Sequence, residues 1–255
     1  KEQPWERFKK PKDLDELHGK GWKVLKKIEK KTGIGWWAGS GSEDTAGWEP
    51  ALRELVTVVC TPSVPTEHVE FGKEDLVGFF TTLKFENHEQ DDEDDGITRM
   101  DEHLPEFTSL QELSLAGNSI RRIENLPPSL VHLNLSTNKL SELPSLGPVG
   151  AQLHHINLGY NQLTDATSDL EQPFPALVSL DLSHNRYTEL PGLLAKLAKL
   201  PRLRQLYLDG NPFCLRRQYR ASVISALPDL TMLDGVPVDA AARELATAYG
   251  AADPP

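Results

Sequence analysis

The chain is poor in the residues that staple, anchor or activate a fold. Only two cysteines occur in 255 residues, Cys60 and Cys214. That is too few for a disulfide framework or a four-ligand structural zinc site, and it fits a reducing, cytoplasmic compartment. No run of about 18 apolar residues is present, so no segment reads as a membrane-spanning helix. The N-terminus lacks the apolar core of a signal peptide. The chain begins at Lys1 rather than Met, as a trimmed or partial product would. The 18 glycines are scattered at turns. None builds a phosphate-cradling loop, and no serine sits in a nucleophile elbow. No catalytic residue, metal or cofactor is expected.

Basic charge is also in deficit, and it is unevenly placed. The net charge is −11, yet residues 1–31 carry eleven Lys and Arg against six Asp and Glu, a local +5 that leaves −16 for the rest. An acidic body disfavours nucleic acid as the partner of the main surface. The basic arm suits an acidic protein surface, although a solvated helix or tail has the same composition.

What is abundant is leucine at fixed spacing. Segments "LQELSLAGN", "LVHLNLSTN", "LHHINLGYN", "LVSLDLSHN" and "LRQLYLDGN" end at Asn118, Asn138, Asn161, Asn185 and Asn211, with spacings of 20, 23, 24 and 26 residues. This is the period of stacked leucine-rich units. The central LxL predicts a short strand whose two leucines point inward and whose middle residue points outward. Stacking the strands gives one curved parallel sheet over a continuous core. The chain must then turn away, leaving backbone N–H and C=O groups without ladder partners. An amide side chain supplies both donors and an acceptor. The five asparagines are therefore expected to form a structural ladder.

The returning segments carry a second apolar set: Ile120 and Ile123, Leu140 and Leu143, Leu163 and Ala166, Tyr187 and Leu190, extended by Leu126, Leu146 and Leu170. Most units return through turns or 3₁₀ segments, but "LPGLLAKLAKLPRL" is long enough for a helix between Pro191 and Pro201. A helix over 215–226, with Tyr219, Val223, Ile224 and Leu227 on its apolar side, and "LTMLDG" close the C-terminal end. A last helix is expected with Asp239 as N-cap and Gly250 just past its end. Its Arg243, Leu245 and Tyr249 are available to pack or to bind. Upstream, Leu83 and Phe85, with Ile97 and Met100 as the return, read as a divergent first repeat. The fold class is α/β, a leucine-rich-repeat solenoid with helical ends. The expected division is 1–48, basic arm and linker; 49–80, helical N-terminal cap; 81–213, repeats with an acidic insert at 86–96; 214–238, C-terminal cap; 239–255, C-terminal helix and tail.

Two constellations imitate metal sites. "DDEDDGITRMDE" places Asp91, Glu93, Asp95, Gly96 and Glu102 near calcium-loop positions. Glutamate at the third position and the absence of flanking amphipathic helices favour a solvated acidic loop. His132 and His155 share a face one strand apart, with His154 and His184 nearby; ordinary exposed histidines on the concave sheet are the favoured reading. That concave surface is the natural binding face of a solenoid. Its outward columns offer Glu112, Ser114, His132, Asn134, His155, Asn157, Tyr160, Asp181, His184, Tyr207 and Asp209 as candidate partner-binding residues. Tyr160 and Tyr207 are the expected hot spots.

The repeats and the terminal "LDGNPFCLRRQYRASVISALPDLTMLDGVPV" resemble the SDS22-like class of leucine-rich repeat proteins over 107–238. Gly210, Asn211, Pro212, Tyr219, Arg220, Val223, Ile224, Leu227, Pro228, Leu230, Leu233, Asp234 and Gly235 match the shared cap. Within that class, "FFTTLKF", "GITRMDEHLPEFTSLQELSLAGNSI" and "NLPPSLVHLNLSTNKL" resemble proteins of motile cilia. The resemblance implies a non-enzymatic scaffold of the axoneme, with microtubule-associated, dynein or radial-spoke-type partners. A phosphatase-regulatory scaffold and a dynein-associated light chain are the alternatives it implies.

Overall fold

The computed structural model describes residues 80–86, 97–100, 104–166, 170 and 174–252. The basic arm and the expected N-terminal cap lie outside these residues. So do the acidic stretch 87–96 and the calcium-loop positions Asp91, Glu93, Asp95, Gly96 and Glu102.

Among the described residues, eight short strands form one sheet in chain order. They are β1 (Thr82–Lys84), β2 (Glu112–Ser114), β3 (His132–Asn134), β4 (His155–Asn157), β5 (Ser179–Asp181), β6 (Gln205–Tyr207), β7 (Met232–Leu233) and β8 (Val236–Pro237). The first seven are parallel, and β8 turns back antiparallel on β7. The register superposes the repeats: Leu113 pairs with Leu133, Leu133 with Ile156, Ile156 with Leu180, and Leu180 with Leu206. The divergent first repeat joins through Leu83 opposite Leu113.

The core follows from that register. Leu113, Leu115, Leu133, Leu135, Ile156, Leu158, Leu180, Leu182, Leu206 and Leu208 are each at most 3% exposed. Each contributes about 1.5–3 kcal/mol by leaving water. The return segments supply the opposing wall, with Ile120, Leu140, Leu163 and Tyr187 buried against it. Ile97 and Met100 fill the same wall in the first repeat. Ala166 is the exception, since it is exposed. A methyl contributes little burial, and the chain turns there at Asp165 and Ala166. Leu126 is only partly buried, packed against the core beside buried Pro127.

Helices appear where a return segment is long enough. A single turn, α1 (Gly147–Gly150), opens on a left-handed Gly147 followed by Pro148. The expected helix of the fourth unit is α2 (Leu190–Leu197), with Pro191 in its first turn and Leu190, Leu193, Leu194 and Leu197 buried. After Asn211 a 3₁₀ turn, Pro212–Leu215, leads to α3 (Tyr219–Ala226). That helix begins four residues later than the apolar pattern suggests, because Pro212 sets a tight turn and Leu215 points into solvent at 93% exposure. The last helix is α4 (Ala240–Ala252). Asp239 caps it, its Oδ1 accepting from the Ala242 N–H at 2.8 Å. Gly250 lies within this helix rather than past its end. Arg243 turns inward and donates to the carbonyls of Pro228 and Leu230, while Leu245 stays exposed.

Candidate docking face

Each ladder asparagine sits where its strand ends. Asn161 Nδ2 donates to the carbonyls of Leu135, Leu158 and Gly159, and its Oδ1 accepts from the Leu140 N–H at 3.0 Å. The pattern repeats at Asn118, Asn138 and Asn185, and at Asn211 without the third carbonyl. One side chain thus satisfies its own turn and both open groups of the preceding repeat. All five are buried. Their amides are consumed by the backbone, so they belong to the scaffold beneath the face.

The scaffold ends at Asp234. Beside β6, strand β7 stops at Leu233, and the Asp234 carboxylate takes the place of the next backbone carbonyls, accepting from the N–H groups of Leu208 and Asp209. The Tyr219 hydroxyl donates to the same carboxylate at 2.8 Å. Burial, then that carboxylate, pushes the Tyr219 phenol far above its ordinary pKa. Arg220 donates to the carbonyls of Leu233, Val236 and Pro237, pinning the β7–β8 hairpin. These bonds are the physical content of the cap motif. Cys214 donates to the Leu208 carbonyl, and burial raises its thiol pKa, which keeps it in the less reactive form.

On the outward side, two columns run across the sheet. One is Glu112, His132, His155, Ser179 and Gln205; the other is Ser114, Asn134, Asn157, Asp181 and Tyr207. All of them except Ser114 and Gln205 line a shallow cavity of about 420 Å³. In the second column the side chains are tied down locally. Asn134 accepts from the Ser136 N–H, Asn157 from Gly159 and Asp181 from Ser183, each two residues on. Such turns fix the oxygens before any partner arrives. Ser114 is buried and donates to the Glu86 carboxylate. Glu112 pairs with Lys84 at 2.7 Å. Tyr207 holds its hydroxyl 3.5 Å from the Met232 sulfur.

His132 and His155 stack with centroids 4.5 Å apart and planes 6° from parallel. Burial, then the neighbouring His132 and His154, lowers the His155 pKa. The nitrogen lone pairs of stacked rings lie in separate parallel planes, so the pair does not converge on one ion. Among the described residues no group of three or more His, Cys, Asp or Glu is placed to hold a metal.

A third column holds the candidates Tyr160 and His184, and its backbone conformation is not apparent from the leucine pattern. The residue before each ladder asparagine is left-handed: Gly117 (φ 74°), Thr137 (55°), Tyr160 (57°), His184 (51°) and Gly210 (72°). The strand must reverse there, and only glycine does so without strain; a side chain costs about 1–2 kcal/mol. A threonine in this region is a true outlier. Tyr160 and His184 stack at 4.0 Å with planes 14° apart. His184 Nε2 lies 3.4 Å from Asp209 Oδ2. The signal that marks this column is the dipeptide ending in asparagine, GN, TN, YN, HN, GN, read down the repeats.

Among the described residues no helix is long and apolar enough to cross a membrane. A family model described as leucine-rich repeat matches residues 93–252. The chain is 37% identical over 153 residues to leucine-rich repeat-containing protein 43 of Homo sapiens, which covers 57% of this chain and 23% of that protein. It therefore spans under a quarter of that relative's length. It is 35% identical over 159 residues to dynein axonemal light chain 1 of Chlamydomonas reinhardtii, covering 59% of this chain and 79% of that one. Among solved structures, the Drosophila melanogaster SNF/U2A′ complex gives a TM-score of 0.48 at 27% identity, covering 54% of this chain and 79% of that one.

Proposed function

The chain belongs to the leucine-rich repeat family, and from that premise we propose that it docks a protein partner on its concave sheet within the axoneme of a motile cilium. The family and its relatives support the broader role, a protein-interaction scaffold. The axonemal assignment is supported by the identity with a dynein axonemal light chain, of which the chain covers 79%. That same likeness favours a narrower version, in which the chain rides on a dynein heavy chain in the manner of a light chain. The observation that carries the docking role is the polar, locally fastened floor around Asn134, Asn157 and Asp181, open to solvent across five consecutive strands and flanked by Tyr160 and Tyr207. The floor is built before binding, so a partner loses little freedom to it. The basic arm, residues 1–31, adds a second attachment to an acidic surface such as a microtubule lattice. The five-part division of the chain, from basic arm to C-terminal helix, belongs to this proposal.

The test is retention. The full chain, tagged in ciliated cells, stays with demembranated axonemes, and Asp181→Lys combined with Tyr207→Ala releases it. Complete extraction of the unaltered chain with the soluble fraction would overturn the axonemal reading. Recovery bound to a phosphatase catalytic subunit would replace it with a phosphatase-regulatory one.

A further inference from the structure

Folding does not account for Thr137, Tyr160 and His184. The end repeats place glycine at this left-handed position, and the three middle repeats place side chains there instead. Tyr160 gains little burial in return, for it remains 56% exposed. Strain retained at an exposed position points to a role outside the fold. The surroundings are cleared for the rings. A Cβ at Gly210 would lie 2.3 Å from His184 Nδ1, so the imidazole rests on a bare backbone. A Cβ at Gly159 would lie 3.0 Å from Asp181 Oδ1 and 2.9 Å from Ser183 Oγ, so the Asp181 carboxylate rests against the residue preceding Tyr160. The Asp209 carboxylate stands at the other end of the stack, beside His184.

We propose that the Tyr160–His184 stack is a seat for an arginine side chain of the protein partner. This rests on the concave-face docking proposed above and names its chemistry. One face of the Tyr160 ring is covered by His184, and its exposed outer face receives the guanidinium flat, as a third plane in the stack. The Asp181 carboxylate against Gly159 and the Asp209 carboxylate beside His184 supply the negative potential that draws a guanidinium to the stack. A lysine ammonium brings charge but no plane, and a neutral planar group brings no charge for the carboxylates. A nucleic-acid base would stack equally well, but its phosphates would meet Asp181 and Asp209 on a chain of net charge −11.

The experiment is a titration of the full chain, followed by backbone amide shifts, with alanine-based helical peptides carrying arginine, lysine or citrulline at the same positions. The arginine peptide shifts Gly159, Tyr160, His184 and Gly210, and binds about tenfold tighter than the citrulline peptide, with lysine between. Tyr160→Gly reduces arginine binding to the citrulline level while the melting temperature holds or rises, because glycine relieves the left-handed strain. Tyr160→Asn, which also tolerates that region, gives the same loss. Equal binding of arginine and lysine peptides, shifts confined to other strands, preferential binding of a single-stranded oligonucleotide, or unchanged affinity in both variants overturns the seat. A chain that fails these peptide tests yet is still released from axonemes by Asp181→Lys with Tyr207→Ala loses only the arginine seat. A chain that passes them yet never enters axonemes loses only the axonemal reading.

Discussion

Two adjacent columns of the molecule, one residue apart in every repeat, follow opposite rules. The ladder column is asparagine five times over, buried, with the same partners at each level. The left-handed column beside it reads Gly, Thr, Tyr, His, Gly, and its Tyr160 and His184 stand in solvent. The backbone demands something specific of the first: two or three carbonyls and one N–H must be satisfied with no water at hand. It asks of the second only a positive φ, which glycine meets best. Uniformity across repeats therefore marks architecture, and departure from the easy residue falls on the exposed surface where the proposed seat lies.

Altering the ladder should have the largest effect. Asn185→Leu strands the carbonyls of Leu158 and Leu182 and the N–H of Leu163, and should cost about 3–5 kcal/mol in urea unfolding. Leu182→Ala, next to it in the core at 0% exposure, should cost about 2–5 kcal/mol by cavity formation. At the closed end, Asp234→Ala removes the acceptor of two edge N–H groups and of the Tyr219 hydroxyl, and should cost about 2–3 kcal/mol. Tyr219→Phe removes one of those bonds and should cost about 1 kcal/mol or slightly more, read as a smaller drop in melting temperature. If the two columns matter alike to folding, Tyr160→Gly will destabilise the chain as these do; a glycine that meets the positive φ better predicts that it will not.

The smallest effect concerns pH. The His155 pKa is lowered in the fold, so below its ordinary value of 6.5 the unfolded chain binds the proton more readily than the folded one. Stability should then fall as pH drops through that value. His155→Gln should flatten the fall in a series of melting curves between neutral and mildly acidic pH.

Much of this is legible in the sequence, because the repeats state the same rule five times. The parallel register through Leu113, Leu133, Ile156, Leu180 and Leu206 follows from aligning on asparagine. So does the adjacency of His132 and His155, although the parallel stacking of their rings does not. Asp239 caps its helix because aspartate before an alanine-rich run has few other uses. Features that occur once are harder to read. The turn at Gly147–Gly150 is too short to show periodicity. Gly250 has the look of a stop, yet α4 runs through it to Ala252. Ala166 falls at a core spacing, but a lone methyl does not compel burial. Backbone handedness at Thr137, Tyr160 and His184 leaves no apolar signature, since the demand there is torsional and nothing about it changes polarity.

The binding role proposed for the outward face, as distinct from the scaffold that folds the chain, is open to direct measurement. One measurement addresses it directly: photo-crosslinking in ciliated cells from a reactive group placed at Tyr207 on the sheet, against the same group at Arg121, exposed on a returning segment. Crosslinks from position 207 to an axonemal protein, with none from position 121, are the predicted result. Crosslinks from 121 alone would contradict it and move the binding surface to the other side of the solenoid.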